Sequence, residues 1–93
     1  MKKPKPAFHD LGFTKSQALT LSFKAEIHLR ILDEVKRRKI PARELETILG
    51  VPQPRVSELM NGKISSVSIE KLLNYLEKLG LTATVSFHQL KAG

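Results

Sequence analysis

The chain has 93 residues, no cysteine, 41% hydrophobic and 27% charged side chains, which is the composition of a single soluble globular domain. With 16 Lys and Arg against 9 Asp and Glu the net charge is +7, so an anionic partner is expected, nucleic acid first. Disulfide scaffolds, thiolate metal sites and cysteine nucleophiles are excluded. No apolar run approaches the ~20 residues of a membrane-spanning helix, and a cytoplasmic location is the simplest expectation.

Residues 1–7, MKKPKPA, carry two prolines and three lysines and cannot bury enough apolar surface to offset their ordering entropy. They are expected to form a disordered basic arm ahead of one domain over residues 8–93. Residues 8–22 contain Phe8, Leu11, Phe13, Leu19 and Leu21 around Gly12, which suggests an irregular wrap with a short helix near 15–20 and both phenylalanines packed on the body. From Ser22, a plausible N-cap, Ile27, Ile31, Leu32 and Val35 recur at helical spacing with Ala25 and Leu29 beside them, to about Arg38. The run Lys36-Arg37-Arg38-Lys39 at its end complements the carbonyl end of the helix dipole as readily as it would a phosphate.

Pro41 opens a second helix over 42–49 with Leu45, Ile48 and Leu49 inward, closed by Gly50. After the turn Val51-Pro52, a third helix is expected over 53–60 with Val56 and Leu59 inward, stopped by Asn61-Gly62. Ser68 caps a fourth, in which Ile69, Leu72, Leu73, Leu76 and Leu79 recur before Gly80. The period then changes to two: Ala83, Val85 and Phe87 alternate with Thr82, Thr84, Ser86 and His88, a strand pattern with no second strand to receive it. The favoured remedy is the same strand from a second copy, paired antiparallel across a two-fold axis. Packing on the N-terminal segment, or an edge kept for a partner protein, are the alternatives. Thr82, Ala83, Thr84, Val85, Ser86 and Phe87 are therefore the candidate dimerisation residues.

Helix, glycine, short turn and second short helix form the helix-turn-helix unit, in which the second helix stands clear and fits a major groove. On that helix Gln53 can pair with adenine, Arg55 can reach guanine or a phosphate, Ser57 has no base preference, and Glu58 can accept from cytosine. Pro54 lies in its first turn. Asn61 and Lys63 just past it, and Arg43 on the helix before, are candidates for phosphate contact.

The stretch Gly50-Val51-Pro52-Gln53-Pro54-Arg55-Val56-Ser57-Glu58-Leu59-Met60-Asn61-Gly62-Lys63 resembles the corresponding segment of the Xre/Cro-type regulators. Asp10-Leu11-Gly12-Phe13, Ser68-Ile69-Glu70-Lys71-Leu72 and Leu79-Gly80 before the terminal segment are similar to the small HigA-like antitoxins of type II toxin–antitoxin systems. The resemblance covers about residues 8–88. It implies a mainly α, four- to five-helix lambda-repressor-like domain with a C-terminal β-strand. It also implies a homodimer that represses its own operon and binds a RelE-fold RNA-cleaving toxin. A stand-alone Xre-type repressor without a toxin, and an antitoxin acting mainly through protein–protein binding, are the alternatives. The chain departs from the family pattern at three places: Glu46 stands where a small residue is usual, Pro41-Ala42 where Thr-Gln is usual, and Pro52 where a capping Ser is usual. Toxins of that fold are generally basic, so contact with this basic chain would use an acidic patch, such as Asp33-Glu34 with Glu26, or an apolar one.

No enzyme is expected. His9, His28 and His88 match no metal-ligand spacing, and His28 is expected to be a surface or half-buried residue. Glu44 and Glu46 are two apart and so do not share a helix face. Ser57 has no base arranged to activate it, and no glycine-rich phosphate loop occurs. No cofactor, metal or membrane partner is implied.

Overall fold

Thr14 opens the first helix through a reciprocal cap: its hydroxyl accepts from the Gln17 amide at 3.0 Å, and its own amide donates to Gln17 Oε1 at 2.9 Å. The computed structural model describes residues 14–89, so the basic arm, Phe8, Leu11 and Phe13 lie outside the described residues. Helix α1 runs Lys15–Arg37 without interruption. The expected start at Ser22 is overturned. Residues 15–22 hold no Gly or Pro, Gly12 precedes the helix, and Ser22 is an exposed residue within it. The short helix expected near 15–20 is thus the first part of α1.

Helices α2 (Ala42–Leu49), α3 (Gln53–Met60) and α4 (Ile69–Lys78) match their expected spans. Ser68 caps α4 by accepting from the Lys71 amide at 3.0 Å. All four helices end alike, on a residue with positive φ whose successor's amide reaches back five residues. These bonds are Ile40 to the Val35 carbonyl at 3.0 Å, Val51 to Glu46 at 3.3 Å, Lys63 to Glu58 at 2.9 Å and Leu81 to Leu76 at 2.9 Å. The left-handed residue is Gly50, Gly62 or Gly80 in three cases and Lys39, at φ 51°, in the fourth. An L side chain is strained there, whereas glycine is not. Lys39→Gly should therefore stabilise the fold by about 0.5–1 kcal/mol, read as a higher urea midpoint at constant slope.

The core is assembled from one stripe of each helix: Ile31 and Val35, Leu45 and Leu49, Val56 and Leu59, then Leu72, Tyr75, Leu76 and Leu79. Helix α1 packs along α4, and α2 packs against both α3 and α4. Burying each such aliphatic side chain contributes roughly 1.5–3 kcal/mol. A helix cannot turn every apolar position inward. Leu29 on α1 and Leu73 on α4 face solvent, and so do Leu19 and Phe23.

Glu34 is buried in α1 and held by three arginines of the same helix and its cap. Arg30 reaches Oε1 at 3.1 Å, while Arg37 and Arg38 donate to Oε2. Burial by itself would raise the Glu34 carboxyl. The hydrogen bonds from Arg37 and Arg38, the Arg37 charge and the Arg30 hydrogen bond outweigh it and hold the group below the ordinary carboxylate range. Arg38 also donates to the Leu79 carbonyl at 2.8 Å, tying the end of α1 to the end of α4. Two members of the basic run at 36–39 thus serve the interior of the fold.

The expected C-terminal strand is not seen. Residues 81–89 take no regular secondary structure and 82–89 are exposed, with Val85 at 68% and Phe87 at 90%. A strand needs a ladder partner, and no described segment of the chain provides one.

Candidate nucleic-acid interface

The turn between α2 and α3 is three residues, Gly50-Val51-Pro52. Gly50 sits at φ 70°, its amide donates to the Glu46 carbonyl at 2.8 Å, and half-buried Val51 packs on the core. Leu45 and Leu49 below the turn, with Val56 and Leu59 beyond it, fix how α3 crosses α2. The buried stripe of α3 leaves Gln53, Pro54, Arg55 and Glu58 exposed on the other side. Neither Arg55 nor Glu58 makes an ion pair among the described residues.

The remaining candidates divide. Ser57 is half-buried, and Asn61 Nδ2 donates to the Ser57 carbonyl at 2.8 Å and lies 3.4 Å from its hydroxyl. This pair closes the last turn of α3, so neither side chain is fully free for a base or a phosphate. Arg43 on α2 and Lys63 past α3 are exposed, as a phosphate contact requires. Val85 and Phe87, candidates for dimerisation, lie on the terminal segment away from α3 in sequence and are exposed with it.

The three departures from the family pattern have local consequences. Glu46 is half-buried, so the approach of α3 to α2 leaves room for a side chain larger than alanine. Pro41 and Pro52 cap α2 and α3 with no side-chain hydrogen bond. At α3 the loss is softened: Pro54 has no N–H to satisfy, and the Arg55 amide finds the Pro52 carbonyl at 2.9 Å. The first turns of both helices, which carry the positive end of each dipole, open to solvent beside Arg43 and Gln53.

A groove of about 1300 Å³ runs between α3 and α4, and Arg55, Glu58, Ser66, Lys71 and Asn74 are among the residues lining it. Ser66 and Lys71 were not legible as site residues, because nothing in the spacing of α4 or of the loop before it says that either flanks α3. The acidic patch expected at Glu26, Asp33 and Glu34 does not form. Glu34 is buried under arginines, and Asp33 pairs with Arg30 at 3.3 Å. His28, expected at or near the surface, is buried, and its Nε2 lies 2.7 Å from the Leu59 carbonyl. No group of acidic, histidine or cysteine side chains that could hold a metal occurs among the described residues, and no described helix is long and apolar enough to cross a membrane.

A family model described as a helix-turn-helix domain matches residues 7–88. A solved structure whose name assigns it to the XRE family of transcriptional regulators is similar at a TM-score of 0.72 and 22% identity, over 80% of this chain and 86% of that one. At that identity the likeness speaks for the fold. No curated protein matches the sequence.

Proposed function

The chain belongs to the helix-turn-helix domain family, a DNA-binding and non-enzymatic one, and from that premise we propose that it is a sequence-specific transcriptional regulator. It binds an operator as a homodimer and represses its own operon. One observation carries this reading: a short helix held by a buried stripe after a three-residue turn, with Gln53, Arg55 and Glu58 exposed on its outer side. Those three residue types read adenine, guanine and cytosine edges in a major groove about 12 Å wide. Arg43 and Lys63 flank the helix and neutralise phosphates, and Asn61 supports its end.

The dimer is proposed on residues 82–87. Their apolar members are exposed and their backbone is without a ladder, and a second copy in antiparallel register supplies both a ladder and a cover. Two recognition helices would then lie about one helical turn apart, ~34 Å, on a palindromic site. Selection from randomised duplexes tests this. The enriched sequence should be an inverted repeat with that spacing. For about six neutralised phosphates per dimer, affinity should fall about 10³-fold between roughly 50 and 200 mM salt. Failure to enrich any sequence would remove the proposal.

An antitoxin role with a RelE-fold toxin is the second reading. The observation favouring it is the uncovered apolar set Leu19, Phe23 and Leu29 on α1, which a protein partner could cover. With the acidic patch gone, an apolar contact is the form the toxin interface would take. A stable complex with the product of a neighbouring reading frame separates this reading from that of a stand-alone repressor.

A further inference from the structure

Three side-chain hydrogen bonds among the described residues join distant parts of the chain. All start on α1 or its cap and end on a backbone carbonyl. Arg38 to Leu79 fastens α4. The other two fasten the exit of the recognition helix and the loop after it. His28 Nε2 meets the carbonyl of Leu59, in the last turn of α3, and Lys24 Nζ donates to the carbonyl of Ser65 at 2.8 Å. Lys24 and His28 are four residues apart and so lie one above the other on the same side of α1. The Leu59 carbonyl can only accept, so Nε2 carries the proton and donates. The same carbonyl also receives the Gly62 amide at 3.2 Å, and His28 Cε1 lies against Gly62.

These bonds matter because α1 packs mainly on α4, and α3 is seated mainly by α2. Leu59, Met60, Ile64 and Val67 seat the exit of α3 and the following loop on the shared core, and the two bonds from α1 hold backbone carbonyls beside them. We infer that Lys24 and His28 are positioning residues for DNA recognition: a two-point clasp from α1 that fixes residues 61–67 and so presents Lys63 and the outer side of α3 in one arrangement. This rests on the DNA-binding reading above. Lys24 spends its charge on a carbonyl of its own chain and is not a phosphate ligand.

The experiment compares Lys24→Met, His28→Leu and His28→Gln with the wild type, using amide exchange in the free protein and binding to the selected operator at several salt concentrations. A lost hydrogen bond of ordinary net strength raises the ratio of displaced to seated segment about three- to tenfold. Lys24→Met and His28→Leu should therefore speed exchange at Gly62, Lys63, Ile64 and Val67 by that factor and weaken binding by up to the same factor per half-site. The Leu72 and Leu76 amides and the salt slope should not change. Gln places an N–H near the position of Nε2, so His28→Gln should keep wild-type behaviour.

Four results would overturn the clasp: unchanged exchange at 62–67, uniform acceleration at every amide, a salt slope reduced by about two per dimer in Lys24→Met, or a His28→Gln protein as weak as His28→Leu. A wild-type protein that binds no DNA overturns the functional reading itself. Binding by the wild type with unimpaired variants overturns only the clasp.

Discussion

Arg55→Ala and Gln53→Ala should each weaken operator binding by about 5- to 150-fold per half-site, the equivalent of roughly 1–3 kcal/mol for each lost base contact, while the thermal midpoint stays where it is. Both side chains are exposed on α3 and make no side-chain hydrogen bond or ion pair among the described residues, so truncating them removes nothing from the fold. Surface substitutions of this kind usually change stability by less than about 0.5 kcal/mol. The two losses should differ from that of Lys63→Ala in kind. Losing a base contact relaxes specificity at one position of each half-site, whereas losing a phosphate contact weakens all sequences alike and lowers the salt slope of the dimer by about two, one for each protomer. Fluorescence anisotropy on the selected operator and on single-base variants, together with melting curves, separates these outcomes. Wild-type affinity in both variants would mean that the outer side of α3 does not touch base edges.

Helices α2, α3 and α4 were legible because each carries its own punctuation. Pro41 and Gly50, Pro52 and Asn61-Gly62, and Ser68 and Gly80 bound apolar stripes of helical period. The start of α1 was not, because the signal at Thr14 is a pair. Thr14 alone is weak, and Gln17 three residues on makes it a cap. Ser22 looked stronger only because the apolar repeat begins there. Glu34 and His28 were hidden for a different reason. A charged or polar side chain is buried when its partners surround it, and those partners come from helix geometry and tertiary contact. Arg30, Arg37 and Arg38 meet at Glu34 by three- and four-residue spacing along α1 and its cap, a pattern that could have been found. The Leu59 carbonyl that receives His28 is 31 residues away, and no local pattern announces it. The terminal alternation at 82–88 is a real period of two, but periodicity states what a segment could pair with, not that a pair is present. The exposed side of α3 was legible in outline. The hydrogen bond that Asn61 donates to Ser57 and the groove shared by Arg55 with α4 required coordinates.

Leu72→Ala should cost about 2–5 kcal/mol, a large share of the roughly 5–14 kcal/mol that a domain of this size has in total. Leu72 is fully buried, at 0% exposure, on the helix that packs against both α1 and α2. The cavity it leaves is bordered by helices already pinned at their ends. Arg38 holds the Leu79 carbonyl, and the closing turns of α1 and α4 are fixed by their own backbone bonds, so collapse around the void is limited. Leu73→Ala, one residue along the same helix, is the control. Leu73 is 39% exposed, and its truncation should cost far less. Urea unfolding should therefore show a lower midpoint for Leu72→Ala at unchanged slope and a nearly unmoved one for Leu73→Ala. Equal shifts would place the core stripe of α4 on the wrong residues. The pair also calibrates the binding experiments. A Leu72→Ala protein loses affinity only as its folded fraction falls, and regains it on cooling toward its stability maximum, whereas Arg55→Ala stays folded and stays weak. On the proposed function, seating α3 and reading DNA with it fall to different residues, Leu72 on the inner side of the bundle and Arg55 on the outer side of the helix it supports through α2.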